Sequence, residues 1–263
     1  MDTIEFAREI RSRTLEMVYN AKASHIGGAF SMADILAVLY GSVLKIDPAE
    51  PKAADRDRFI LSKGHACTSL YSTLAIKGFF DIDLLDTYSK DGSFFMAHTS
   101  HKVPGVELST GSLGHAMPVA CGMALAAKRK SEKQHIYVLV SDGELDEGSN
   151  WEAILFAAHH HLNNLTCIVD YNKIQSLGRV DDVIQLDPLK DKFVSFNWDV
   201  VEVDGHDHDQ LLASFNNKTL TDKPRCIIAH TIKGKGVDFM QDDLKWHYQS
   251  PSADQYSAAQ KQL

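Results

Sequence analysis

The sequence predicts an α/β chain built on a doubly wound, mostly parallel sheet with helices on both faces. Two observations carry this. From residue 136 onward, short apolar runs alternate regularly with helix-length stretches, the rhythm of a parallel sheet with crossover helices. The strand-like runs are also nearly all apolar and bounded by charge, as strands covered on both faces are. With 44% apolar and 24% charged residues over 263 positions, the chain can bury a sizeable core. No repeat, low-complexity tract or internal linker interrupts it, so residues 1–263 are expected to form a single domain.

Ala7, Ile10, Met17 and Ala21 fall at helical spacing and predict a helix over residues 3–23, ending before "SHIGGAF". Ser31 is placed to cap a second helix, "MADILAVLYGSVL", followed by a loop with Pro48 and Pro51. "RFILS" is a buried strand leading into "KGHA", and residues 66–77 suit another helix. Residues 79–113 are irregular. "GHAMPVACGMALAAKRK" is a small-residue helix whose basic tail complements the negative end of its dipole. Strand "IYVLV", helix "NWEAILFAAHHHL", strand "LTCIVDY", a helix near 187–197, strand "DVVEV", a helix near 207–216 and strand "RCIIAHT" complete the pattern.

Composition excludes several functions. Net charge is −8, from 27 basic and 35 acidic residues, which argues against a nucleic-acid binder and its basic face. Cys67, Cys121, Cys167 and Cys226 are widely spaced, with no C-x-x-C pair, so reduced thiols in a cytoplasmic protein are expected. The charged N-terminus is unlike a signal peptide, and no apolar run reaches membrane-spanning length.

The stretch "HIYVLVSDGELDEGSNWEA" runs an apolar strand into Asp142, Gly143 and further acids. Open parallel sheets bind ligands beyond the carboxyl ends of their strands. Gly143 lets a bulky group approach, and a helix starting near Ser149 favours an anion. Asp142 would repel that anion unless a metal lay between them. The next strand brings Asn172 to the neighbouring edge, and an irregular backbone can turn the Ile174 carbonyl inward. Asp142, Asn172 and Ile174 then offer a hard, oxygen-only half-shell that suits Mg²⁺ completed by diphosphate oxygens and water. "DG" alone would be an ordinary solvated turn; the "YN" pair on the adjacent strand changes that reading.

"SDGELDEGSNWEA…VDYNKIQSLG" resembles the thiamine-diphosphate signature, G-D-G followed by just under 30 residues and N-N or D-N. "SHIGGAFSMADIL", "DRDRFILSKGHA", "HKVPGVELSTGSLGHAMPVACG", "VDGHDHDQL" and "IKGKGVDFM…WH" resemble transketolases, in the family's order and almost end to end. The resemblance implies the thiamine-diphosphate-binding fold and the diphosphate-binding (PP-type) domain, with the pyrimidine-binding and C-terminal domains absent from this chain. There are departures. Ser141 replaces the first glycine of the signature, "MAHTSHKVPG" replaces a G-H-P stretch and is one residue shorter, and His115 replaces a glutamine.

The chain has 13 histidines, and on composition alone His25 and His65 are each more simply a capped or solvated loop residue than a catalytic one. The resemblance implies that His25 and His65 surround the thiazolium carbon and the substrate hydroxyls, where a near-neutral imidazole passes protons. His98 and His101 compete for a third place, and His98 is preferred because it aligns with G-H-P. His247 resembles the late histidine at the diphosphate and the reacting centre. Gly111, Ser112 and Leu113 resemble the backbone that meets the aminopyrimidine, and Gly143 and Asn172 join His65 and His247 in cofactor binding. Glu147 and Glu152 are either dipole-favoured surface acids or, by resemblance, interface acids linking paired cofactor sites. Glu144 and Asp146 are left to solvation. Lys233 and Lys235 could attract sugar phosphates or lie in an exposed loop. "HHH" at 159–161 cannot form one ligand face, because successive helix residues point about 100° apart. "HDHD" at 206–209 fits a turn and helix start.

The implied chemistry is transfer of a two-carbon ketol unit from a ketose, of phosphate or similar anionic type, to an aldose. The cofactors implied are thiamine diphosphate and Mg²⁺, or Ca²⁺ or Mn²⁺ in its place. The family's catalytic glutamate and phosphate-clamping arginines lie in a second domain. The expected partner is therefore a C-terminal subunit, in a heterotetramer with two copies of each chain. The alternatives are the α-subunit of a 2-oxoacid dehydrogenase decarboxylating component, a non-catalytic cofactor-binding subunit, or a zinc protein using the histidine clusters.

Overall fold

The computed structural model describes residues 1–216 and 222–263. Five strands, β1 Arg58–Leu61, β2 Ile136–Ser141, β3 Leu165–Tyr171, β4 Asp199–Asp204 and β5 Arg225–His230, form one sheet in the order β1-β2-β3-β5-β4. Every pairing is parallel. The register sets Ser141 beside Asp170 and Asp170 beside Ala229, so the central strands end together at one rim.

The helices are α1 Thr3–Ala21, α2 Ile26–Ser31, α3 Ala33–Val38, α4 Cys67–Ile76, α5 Ala116–Arg129, α6 Gly148–His159, α7 Val180–Val183, α8 Leu189–Ser195, α9 His208–Asn216 and α10 Ala253–Gln260. Alternating strand side chains serve two cores. Ile136, Val138 and Val140 pack with α5, α6 and α8, while Tyr137 and Leu139 pack with α1, α3, α4 and α9. This is the doubly wound arrangement expected from the sequence. A third cluster joins Leu15, Val18, Ile26 and Phe30 to Val237, Met240, Trp246 and Ala259, which fixes the chain around His247 against α1 and α2.

One local expectation is corrected. Ser31 does not cap the helix after it; it is the last residue of α2, and its hydroxyl donates to the Gly28 carbonyl and to Asp170. The buried carboxylate outcompetes a local cap. The helix expected to start near Ser149 is present. A 3₁₀ turn, Gly143–Asp146, comes first, and α6 begins at Gly148.

That turn carries a second correction, because Glu144 is fully buried rather than solvated. Its carboxylate accepts from Ser62 Oγ, from Gly114 N at 2.9 Å and from Ser141 N at 3.3 Å. The bonds tie the end of β1, the loop before α5 and the end of β2 to one side chain. Gly114 has φ +81, and a Cβ there would meet Ser149 Oγ at 2.5 Å, so only glycine fits. Asp34, also buried, binds the Arg11 guanidinium, His206 Nδ1 at 2.6 Å and His208 Nε2 at 3.1 Å. Burial pushes its carboxyl up, but the two histidines and Arg11 outweigh that and hold it well below the usual range.

Glu144→Gln turns one acceptor oxygen into an N–H donor facing a donor. A loss of about 1–3 kcal/mol in urea unfolding is expected, as for a buried group left unsatisfied. Asp34→Asn should cost about 3–5 kcal/mol at neutral pH, because it leaves the buried Arg11 charge uncompensated. The folded-state pKa of Asp34 lies below its unfolded value of 3.8, so its stabilisation is complete above that pH and lost as pH falls below it. The stability gap between parent and variant should therefore hold from pH 7 to pH 5 and narrow below about pH 4, in urea titrations at each pH.

Candidate functional site

Beyond the rim of β2 and β3 lies a cavity of about 210 Å³, bordered by His25, His65 and His247, by Asp142, Asn172 and Ile174, and by Lys63 and Lys233. Asp142 ends β2 with its carboxylate held at both oxygens, by Gly143 N at 2.7 Å and Lys173 N at 2.6 Å. Burial and the nearby Asp170 push its carboxyl up to about 6. A cation seated there would reverse that shift. Ser141 has no left-handed backbone, so the serine that stands in place of glycine is unstrained.

Two residues past β3, Lys173 is in the left-handed region with φ 67. This turn brings Ile174 N to Asn172 Oδ1 at 3.2 Å and aims the Ile174 carbonyl at Lys233 Nζ, 2.9 Å away. Asn172 Nδ2 donates to Asp170 at 3.3 Å, which fixes its amide with the oxygen toward Ile174. The three expected metal ligands thus border one cavity, and the Ile174 carbonyl already holds a positive charge, the Lys233 ammonium. A hard oxygen donor set with a cation on one member fits Mg²⁺.

Lys233 is buried rather than in an exposed loop, whereas Lys235 is half-buried. Its Nζ also lies 3.0 Å from His247 Nδ1. An ammonium can only donate, so Nδ1 accepts and the His247 proton sits on Nε2. Burial, then Lys233, lowers His247 to about 3. His25 is lowered to about 4 by burial, then His98 and Lys233. His65 is lowered well below its usual value by burial, then Lys63. These imidazoles are neutral at physiological pH.

Their rings cluster. The His25 centroid is 5.0 Å from His65, 5.1 Å from His247 and 6.5 Å from His98, and His65 lies 5.7 Å from His247. His25 has φ 71, opens α2, and its Nδ1 lies 2.9 Å from Ser24 Oγ. His98 packs against Gly111, where a Cβ would meet its Cδ2 at 3.1 Å. His101 instead pairs with Ser109 at 2.7 Å, on an exposed loop. Leu113 borders the cavity, Ser112 is exposed, and Glu147 and Glu152 are exposed near the start of α6. His159 ends α6, and His161 takes a left-handed backbone just beyond it.

Sequence reasoning missed Lys63, Asp170 and Tyr248. Lys63 Nζ pairs with Asp170 and donates to the Gly28 carbonyl at 2.7 Å. A lysine at the end of an apolar strand, two residues before His65, was the available signal. Tyr248 borders the cavity at 62% exposure, with its ring 4.7 Å from that of His247.

Residues 3–263 match the profile of the transketolase thiamine-diphosphate-binding domain. The chain is 40% identical to one of the subunits of the apulose-4-phosphate transketolase of Phocaeicola vulgatus, over 100% of this chain and 94% of that protein. It is 39% identical to 6-deoxy-6-sulfo-D-fructose transketolase subunit SqwG of a Clostridium species, over 98% and 94%. Transketolase from Leishmania mexicana superposes with a TM-score of 0.93 at 30% identity, covering 98% of this chain and 41% of that one. Transketolase from Campylobacter jejuni gives 0.93 at 31%, covering 99% and 42%. The family is that of transketolases rather than of 2-oxoacid dehydrogenases. With its thiamine-diphosphate-binding domain matched along nearly its whole length, the chain belongs to the transketolase family and is a transketolase subunit.

Proposed function

We propose that this chain holds the cofactor diphosphate in a two-subunit transketolase that moves a two-carbon ketol unit from an anionic ketose to an aldose. The observation that carries this is the meeting, in one cavity, of an oxygen-only cation site, two buried lysines and three neutral histidines. The two similar subunits are named for a phosphorylated and a sulfonated sugar, which supports a donor with an anionic far end. A partner subunit is supported by the same names and supplies the catalytic glutamate and the contacts to that anion. Two copies of each chain form the assembly, with Glu147 and Glu152 at the interface between cofactor sites.

Bound thiamine diphosphate supplies an electron sink for the carbanion left when the ketose carbon–carbon bond breaks. Asp142, Asn172 and the Ile174 carbonyl hold Mg²⁺ against the diphosphate, and Lys63 and Lys233 offset the remaining negative charge. Gly111, Ser112 and Leu113 line the pyrimidine side, and Gly143, which borders the cavity, joins the diphosphate contacts. His25, with Nδ1 engaged by Ser24, offers Nε2 as a base for a ketose hydroxyl proton. His247, with its proton on Nε2, donates to substrate oxygen. His65 and His98 complete the hydroxyl contacts. Neutral rings suit this work, because a protonated imidazole could not accept the hydroxyl proton.

Asp142→Ala should weaken Mg²⁺-dependent thiamine diphosphate binding to the two-subunit complex by at least ~100-fold, beyond the effect typical of losing a residue that supports a ligand. Unchanged affinity in a fluorescence titration would remove the metal assignment. Against a panel of ketoses, the complex should prefer phosphate- or sulfonate-bearing donors over their neutral counterparts by about 10–100-fold in kcat/KM, the worth of a charged hydrogen bond. The chain alone should give no ketol transfer; substantial turnover without a partner would refute the two-subunit reading.

A further inference from the structure

The segment that delivers Lys233 to the cavity runs from Thr231 to Gly234 and is fastened at several points, among them Thr231 N to the Tyr171 carbonyl at 3.2 Å, Asp242 N to the Lys233 carbonyl at 2.9 Å, and three more. Thr231 Oγ1 donates to Asp170, Gly234 N donates to the Gly27 carbonyl at 2.9 Å, and Ile232 N donates to His206 Nε2 at 2.8 Å. The last of these differs in kind, because its acceptor is an imidazole whose tautomer must be set. An amide N–H can only donate, so Nε2 carries no proton and the ring proton lies on Nδ1. Nδ1 is 2.6 Å from Asp34 Oδ2, and Asp34 is itself held by Arg11 and by His208 Nε2 at 3.1 Å. His208 is braced in turn by Thr3 Oγ1 at 2.8 Å. A relay thus runs from Arg11 through Asp34 and His206 to the backbone immediately before Lys233.

We propose that His206 is a positioning residue for the diphosphate site: Asp34 fixes its Nδ1–H tautomer so that Nε2 accepts the Ile232 N–H and sets Lys233 in the cavity. The arrangement parallels the way a second partner orients an imidazole toward its first, but here the object is a peptide N–H. The space allows little latitude. A Cβ on Gly27 would meet Lys233 Cγ at 2.9 Å, so a shift of the loop by a few tenths of an ångström drives the lysine stem into α2 or away from Ile174.

This inference rests on the diphosphate reading above, and two isosteric substitutions separate it from a purely structural role. His206→Asn keeps a donor near the place of Nδ1 for Asp34 but presents nothing to Ile232. His206→Gln keeps an acceptor near the place of Nε2 but gives up the bond to Asp34. The parent complex and both variants are each titrated with inorganic pyrophosphate and Mg²⁺, read by thermal stabilisation. Each is also assayed for KM of thiamine diphosphate and for kcat at saturating cofactor. Urea midpoints are measured alongside.

The two orders should be opposite. His206→Asn should bind pyrophosphate and thiamine diphosphate about tenfold more weakly than the parent, the scale of one lost hydrogen bond, with kcat at saturation within about twofold. His206→Gln should stay within about threefold of parent affinity while showing the lower urea midpoint, because Asp34 loses a donor. Affinity that follows the stability order, or an Asn variant that binds as the parent does, overturns the positioning role. A parent complex that binds neither pyrophosphate nor thiamine diphosphate instead overturns the diphosphate reading itself.

Discussion

Asp170 is a fully buried carboxylate that gathers donors from four segments: Ser31 Oγ, Lys63 Nζ, Asn172 Nδ2 and Thr231 Oγ1. Removing such a charge from water is tolerable only when every lone pair is answered, and deleting one charged partner of a buried pair costs about 3–5 kcal/mol. Burial alone would push its carboxyl up, but Lys63, Ser31 and Thr231 outweigh that and keep it ionised. Each donor belongs to a different part of the site. Ser31 closes α2, Lys63 follows β1, Asn172 is an expected cation ligand, and Thr231 begins the segment carrying Lys233. One ion pair at the end of β3 therefore fixes the relative positions of groups far apart in the chain.

The electrostatics of the cavity follow. Lys63 and Lys233 stand among histidines that burial has already discouraged from charging, and the lysines lower them further. Lys233 is itself brought down to about 8, by burial working against the pull of Asp142. The result is a cavity bordered by two lysines and a buried carboxylate, with neutral imidazoles beside them. Pre-set dipoles and charges of this kind need no reorganisation when negative charge arrives.

The strands, the helices and the Asp142–Asn172 pairing were legible because they rest on local pattern and register. Apolar runs marked β2 and β3, and their parallel pairing placed the residue after each run at a common rim. What was not legible depends on partners far along the chain. Lys63 meets Asp170 across 107 residues, Ser31 meets the same carboxylate across 139, and Ser62 meets Glu144 across 82. No spacing rule reaches so far, so Ser31 looked like a cap and Glu144 like a solvated acid. The choice between Lys233 as a ligand-facing residue and as an exposed loop residue likewise turned on Ile174, 59 positions earlier. His98 and His101 are three residues apart, and what separates them is the contact of His98 with His25 and Gly111 against the pairing of His101 with Ser109 on an exposed loop.

The histidines show why residue type alone could not assign roles. His25, His65 and His247 sit buried beside lysines and each other, so their basicity is suppressed. His206 and His208 sit on one carboxylate beside Arg11, which commits their ring protons to structure. The same side chain is thus left neutral or made a fastening according to the charge it faces. Asp34 is 172 residues from His206 in sequence, yet the fold places their contact one peptide away from Lys233 at the cavity. The segment from Thr231 to Lys233 joins the two networks, since its first residue answers to Asp170, its second to His206 and its third to the Ile174 carbonyl.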